Sequence, residues 1–229
     1  DVQSLPVTEG FESSSFPPSG WSVTSSGSTY TWERTTRADA SGIASAWIRN
    51  FSFTSNGKPD DLYSPLLQAN QFDSLVVHFD MAHAMVNPAT NPPDTLQVLV
   101  TKDCGKTFTV LYKRWGADLK TTGSQTPTFP PSDTLGYIPS SSKAWRNEYI
   151  DLSEFVSANE KFMVVFRNTS TRGNNLFLDN INIRSVILPA ALKANGFLVA
   201  PNPFQGSFLI RHVALPTDLK AVVITNAAG

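Results

Sequence analysis

The sequence predicts an all-β sandwich. Short apolar segments with alternating patterns recur along the chain, each bounded by turn residues. Helical periodicity is nearly absent. Charged residues are only 16% of the 229, and Pro, Ser, Thr and Asn fill the gap, as in extracellular β proteins with many turns. Hydrophobic residues make up 41%, enough for a substantial core, and 15 Phe and 5 Trp are available to fill it.

The first clear strand surrounds Trp47 and Ile48, between Ala44 and Asn50. Leu75 to His83 is a long strand that places Leu75, Val77, Phe79 and Met81 on one face, because strand side chains alternate. Thr95 to Thr101 points Leu96, Val98 and Val100 inward and pairs with Thr107 to Tyr112 across the Asp103-Cys104-Gly105-Lys106 turn. Strands at Glu148–Ile150 and Phe162–Phe166 follow, and the best helical candidate is one turn at Asp151–Val156. Between Trp115 and Lys143 lies a Thr-, Ser-, Pro- and Gly-rich segment, too long for an ordinary connection. It reads as a surface loop pinned by Phe129 and Tyr137.

The last strand of the sandwich spans Gly173–Ile183. Strict alternation puts Phe177, Asp179, Ile181 and Ile183 on one face, so Asp179 points toward a core. A carboxylate there is costly unless it is paired, hydrogen-bonded or bound to a metal. No Lys or Arg shares that parity. Two readings stand: Asp179 caps a nearby loop through backbone N–H groups, or it is a calcium ligand, since hard cations select carboxylate and carbonyl oxygen.

A boundary falls near Leu188–Lys193. Domain organisation is therefore residues 1–187, a linker at 188–196, and a segment at 197–229. That segment reads as strand, Pro201-Asn202-Pro203 turn, strand, with a third strand at Lys220–Thr225. Three strands in so short a stretch make a poor independent core.

Several function classes find no support. The formal net charge is -1, and Lys and Arg are scattered singly, so no cationic face suits nucleic acid. Cys104 is the single cysteine and has no His nearby in sequence, so it reads as a small buried hydrophobe. None of His78, His83 and His212 begins a His-Glu-x-x-His zinc motif, and His78 and His83 lie on opposite faces of one strand. A Gly-x-Ser-x-Gly elbow and a Gly-rich phosphate loop are missing, and nothing singles out a glycosidase carboxylate pair. No run approaches the roughly 18 apolar residues of a transmembrane helix. The start at Asp1, without Met or an apolar leader, leads to the expectation of a removed or omitted signal peptide. The strand-like ending Ile224–Gly229 suggests a piece of a longer protein.

Ordered motifs over residues 7–185 carry a resemblance. These are Gly10-Phe11-Glu12, Pro18-Ser19-Gly20-Trp21, Trp32, Leu62-Tyr63-Ser64-Pro65, Asp94-Thr95-Leu96-Gln97-Val98, Asp103-Cys104-Gly105, Trp145-Arg146 and Leu178-Asp179-Asn180-Ile181. Together they resemble MAM-like and cleaved-adhesin jelly-roll domains, especially those accompanying secreted pappalysin-like zinc metallopeptidases. The resemblance implies a two-sheet antiparallel jelly roll, with first and last strands adjacent. It also implies a calcium site built from Glu12 and Asp179, with Asp39 at a further acidic position. Asp94 is another acidic candidate at a strand entrance, and equally a turn residue. Val199-Ala200-Pro201-Asn202-Pro203-Phe204 and Asn226-Ala227-Ala228-Gly229 look like the start of a type IX secretion sorting domain, incomplete here.

The expectation is thus a non-catalytic, calcium-stabilised accessory or adhesin domain of a secreted or cell-surface bacterial protein. Its partners would be an extracellular protein or glycan and an adjacent catalytic domain. A carbohydrate-binding module is the alternative, with aromatics such as Tyr30, Trp32, Trp47 or Trp115 stacking on sugar; Trp115, beside the long loop, is the best placed. A jelly-roll hydrolase is the alternative of another class.

Overall fold

The long strands bury alternate residues, as their patterns require. The computed structural model describes residues 1–27, 30–53, 57–86, 89–123, 136–200 and 209–212. These divide into two units, Asp1–Val186 and Ile187–Gly229. The first carries β1 (Val2–Ser4), β2 (Val7–Glu9), β3 (Ser22–Ser25), β4 (Glu33–Thr35), β5 (Ser45–Ile48), β6 (Pro59–Tyr63), β7 (Leu66–Gln68), β8 (Ser74–His83), β9 (Thr95–Thr101), β10 (Thr109–Trp115), the short helix α1 (Gly116–Leu119), β11 (Arg146–Asp151), β12 (Lys161–Thr169) and β13 (Leu176–Val186).

Two sheets result. In the first, β12 is flanked on one side by β9 and then β10, and on the other by β6 and β7, which carry β3 and β1 at the edge. Its pairs are antiparallel except β1 with β7. In the second, β8 lies between β11 and β13, and the far side of β13 is shared by β2 and β5, with β4 outermost. The opening and closing segments are therefore adjacent through β2 and β13, as expected of a jelly roll.

Between the sheets lies one continuous core. Leu75, Val77, Phe79 and Met81 from β8 meet Leu96, Val98 and Val100 from β9 and Phe162, Val164 and Phe166 from β12. Phe79 packs edge-on against Phe166 with ring centroids 5.2 Å apart, a geometry the ring quadrupoles favour. A second, smaller cluster covers the outer face of the second sheet: Trp47, Ala82 and Phe177 under Ala38, Tyr137 and Trp145. Tyr137 thus belongs to this cluster; Phe129 lies outside the described residues. Cys104, expected to be buried, is instead exposed in the turn after β9.

The strict alternation expected for the closing strand is wrong. Asp179 pairs with Asp80, but the next register partner is Asn182 with His78, so β13 carries a bulge. Asn180 takes φ 51, the left-handed conformation that Asn tolerates better than most residues. The extra residue switches parity. Leu176 and Leu178 face the main core before the bulge, and Ile181 and Ile183 face it after. Phe177 belongs to the outer cluster. Asp179 therefore shares a face with Phe177 and not with Ile181 or Ile183.

Helices also differ from expectation. The segment Asp151–Val156 forms no helix, whereas α1 follows β10 directly. In the second unit, α2 (Ala190–Asn195) occupies the stretch read as linker and ends at Gly196 in the left-handed conformation, φ 74. Beyond it β14 (Phe197–Ala200) pairs antiparallel with β15 (Leu209–His212). The Pro201-Asn202-Pro203 turn and the strand expected at Lys220–Thr225 lie outside the described residues.

Candidate functional site

On one edge of β13, β5 covers Leu176–Leu178 and β2 covers Ile181–Ile183. Asp179 and Asn180 lie at the junction, and the loop before β5 closes over them. Asp179 Oδ2 accepts the N–H groups of Ala40 (2.8 Å) and Ser41 (3.2 Å), and Oδ1 accepts that of Asn180 (2.7 Å). Asn180 completes the clasp. Its Oδ1 accepts the Ser41 hydroxyl at 2.8 Å, and its Nδ2 donates to Asp80 at 2.8 Å. Asp179 is fully buried. Burial pushes its carboxyl up to about 6, against the lowering effect of those N–H donors, and the Asp80 charge pushes the same way.

Glu12 holds the same loop from the other side. Its carboxylate accepts the Ile43 N–H at 3.2 and 3.1 Å, and a Cβ on Gly42 would collide with it. Gly42 has φ 82, so glycine is required there twice over. A Cβ built on Gly10 would lie 3.8 Å from Asp179 Oδ1 and 3.9 Å from Glu12 Cγ, so both side chains border Gly10. Neighbouring Phe11 is buried with φ 59. Arg34 fixes that backbone by donating to the carbonyls of Phe11 (2.7 Å) and Glu12 (3.2 Å). Burial raises the carboxyl of Glu9, the preceding acid in the chain. Asp39 sits in the clasped loop, half-buried. Glu12, Asp179 and the loop bearing Asp39 are thus brought together.

Asp94 is elsewhere. Buried at the entrance to β9, it accepts Thr171 N (2.7 Å), Thr171 Oγ1 (3.1 Å), Gly173 N (3.3 Å) and Asn174 N (2.9 Å). It is a loop anchor for residues 171–174. Buried His83 stands near it, with Nδ1 3.1 Å from the Asn175 carbonyl. No group of three or more His, Cys, Asp or Glu side chains is placed to hold a metal among the described residues.

The aromatic candidates separate by exposure. Trp32 is 1% exposed and donates Nε1–H to the Asp60 carbonyl; Trp47 is 5% exposed and stacks on Phe177; Tyr30 is half-buried under Arg49. Trp115, at the end of edge strand β10, is 48% exposed, with Lys113 Nζ 5.6 Å from its ring centre. It stands at the start of the long loop and outside both hydrophobic clusters. Sequence reasoning missed Asn180, Arg34 and Asp80. The Asp179-Asn180 pair inside a strand was the available signal, since both residue types favour departures from regular backbone.

No family model matches the sequence, and no curated protein aligns with it. Solved structures do. The K3 cleaved adhesin domain of Lys-gingipain from Porphyromonas gingivalis superimposes with a TM-score of 0.54 at 16% identity, covering 78% of this chain and 98% of that one. The K1 domain of the same protein gives 0.52 at 16% identity, covering 79% and 98%. The K2 domain of Lys-gingipain gives 0.51 at 20% identity, covering 78% and 97%. The chain has the cleaved-adhesin fold. Among the described residues no helix is long and apolar enough to cross a membrane.

Proposed function

We propose that this chain is a non-catalytic binding domain of a secreted or cell-surface bacterial protein, exported by type IX secretion and stabilised by calcium. Its work is adhesion, substrate docking or spacing beside a catalytic module. The observation that carries this reading is the extent of the fold match: nearly the whole of each of three adhesin domains is covered by one sandwich. The exposed Trp115 supports a contact surface at the β10 edge, suited to a glycan or an extracellular protein.

Calcium would be held at the clasp beside Gly10. The side chains of Glu12 and Asp179 both border that glycine, and Asp39 lies on the loop they hold. Peptide carbonyls would complete a set of hard oxygen donors. The ion would supply positive charge to a buried carboxylate that the protein alone keeps partly protonated near pH 6. Asp94 lies apart from this clasp, where it anchors residues 171–174.

The test is to present the purified chain with extracellular matrix proteins, a glycan array, casein and gelatin. Saturable binding without turnover, weakened by Trp115→Ala, is expected. Turnover that disappears on replacing one carboxylate or histidine would establish the hydrolase instead.

A further inference from the structure

The outer face of the second sheet has a covered end and an open end. The covered end is the cluster of Trp47, Ala82 and Phe177 under Ala38, Tyr137 and Trp145. At the other end Thr8, Asn147, Tyr149 and Arg184 are exposed. The ladder register sets four residues in a row across this open end. Tyr149 pairs with His78, His78 with Asn182, and Asn182 with Thr8. Ile150, Val77, Phe79, Ile181, Ile183 and Val7, their chain neighbours, pack on the main core, so alternation turns all four outward. Strands stand about 4.8 Å apart, which makes the row roughly 14 Å long.

A sheet face that only meets water needs no fixed side chains. Here they are fixed. The rings of His78 and Tyr149 meet edge-on with centroids 4.8 Å apart, and Arg184 Nη2 lies 3.4 Å from His78 Nε2. In the next row Asp80 is held between Asn147 Nδ2 at 3.0 Å and Asn180 Nδ2 at 2.8 Å. A ligand that binds such a face spends little on ordering it. Several groups remain unengaged. Tyr149 is 56% exposed, and its hydroxyl, the Thr8 hydroxyl and Asn147 Oδ1 have no hydrogen-bond partner among the described residues. Asn182 Oδ1 has none there either. Asn182 lines a depression of about 170 Å³ with Thr8, Glu9 and Asn180, at the far end of the row from Tyr149. An unpaired buried acceptor costs free energy, and a hydroxyl donor seated in that depression would recover it.

We infer that this row binds a neutral, extended oligosaccharide, with one sugar against the Tyr149 ring and others hydrogen-bonded to Asn147 and Asn182. The inference rests on the proposed binding role and names its ligand class, and it puts the ligand on the other sheet from Trp115. Tyr149, His78, Asn182 and Thr8 include no acid, Lys or Arg, and Glu9 at the far end opposes an anion. A protein partner is the poorer fit. Interface hot spots are apolar or aromatic anchors in desolvated pockets, and Tyr149 is the one large exposed apolar side chain of this row. A phenol beside amides suits a sugar, whose ring faces are apolar and whose edges carry hydroxyls.

The test is calorimetric titration of the whole chain with cellotetraose, xylotetraose and mannotetraose, and with tetragalacturonate as the anionic comparison. Tyr149→Leu removes the ring and keeps an apolar strand residue; Tyr149→Phe keeps the ring. Binding of at least one neutral tetrasaccharide is expected, at least about tenfold weaker in Tyr149→Leu, nearly retained in Tyr149→Phe and Trp115→Ala, and unchanged between about 0.05 and 0.5 M salt. Amide NMR shifts on titration should cluster at His78, Asn147, Tyr149 and Asn182. No binding of the neutral sugars, binding that Tyr149→Leu leaves intact, or binding of tetragalacturonate alone removes the site. If binding of a sugar or a matrix protein is instead lost in Trp115→Ala and kept in Tyr149→Leu, this assignment falls and the binding-domain reading stands.

Discussion

Asp179, within β13, and Glu12, just past β2, grip the same loop: Asp179 takes the N–H groups of Ala40 and Ser41, and Glu12 takes that of Ile43. The two carboxylates tie the opening segment to the closing strand without a disulfide. If calcium joins them, chelation removes a staple. At free calcium about a hundred times Kd, the ion adds roughly 2.7 kcal/mol. Chelation should then lower Tm by about 5–10 °C for a domain of this size. Asp179→Asn should melt at one temperature with or without chelator. Unchanged melting of the parent on chelation would leave Asp179 as a hydrogen-bonded anchor only.

The bulge at Asn180 makes a separate prediction. Its φ of 51 suits Asn or Gly, while a β-branched residue there pays about 1–2 kcal/mol of backbone strain. Asn180→Val also loses the hydrogen bonds to Asp80 and Ser41. It should destabilise by roughly 2–3 kcal/mol in urea unfolding, whereas Asn180→Ala, which loses the same bonds with less steric conflict, should cost clearly less. Equal costs would mean that the backbone is not strained by side chains at this position.

That bulge also marks where the sequence stops being legible. The core faces of β8, β9 and β12 follow from alternation alone, because nothing interrupts their ladders. Alternation misassigns Asp179, because one inserted residue reverses every side chain beyond it. Backbone N–H groups, one of the two partner sets expected of Asp179, are present, and its face is that of Phe177. The ion pair of Glu33 with Arg49 was illegible for another reason: the two meet because β4 folds back on β5.

Asp61 and Arg167 form a bidentate pair across β6 and β12, at 2.7 Å for both contacts, with Tyr63 donating to Asp61 at 3.2 Å and Phe108 beneath the guanidinium at 4.6 Å. The Asp61 side chain is only 7% exposed, so losing its partner strands a desolvated charge. Arg167→Met should cost about 3 kcal/mol. Arg167→Met with Asp61→Leu should recover much of that loss. Additive costs in the double variant would show that the pair is uncoupled.

His83 sets an acid limit. Burial holds its imidazole below the usual value, with Asp94 and the Asn175 carbonyl opposing. The folded state thus keeps His83 neutral, while the unfolded chain takes up a proton near pH 6.5. Below that pH the unfolded state binds more protons, so stability falls as pH drops through about 6.5 and levels off below the folded value. His83→Gln should flatten this part of the curve in urea titrations between about pH 4.5 and 7.5. A retained slope would assign the acid sensitivity to other groups.

Trp115 and Trp32 offer opposite outcomes from one substitution. Trp32 is 1% exposed, lies in the main core and donates to the Asp60 carbonyl at 3.0 Å. Trp32→Ala leaves a large cavity and removes the indole donor to that carbonyl, a cost of about 3–5 kcal/mol. Trp115 is 48% exposed, and the cationic side chain of Lys113 is its ring contact. Exposed cation–π pairs contribute only about 0.5–1 kcal/mol. Trp115→Ala should therefore shift urea unfolding by less than about 1 kcal/mol. If Trp115→Ala weakens binding to a glycan or matrix protein while leaving unfolding unchanged, the β10 edge is a contact surface. If it unfolds the chain as Trp32→Ala does, Trp115 is a structural residue and the binding surface lies elsewhere.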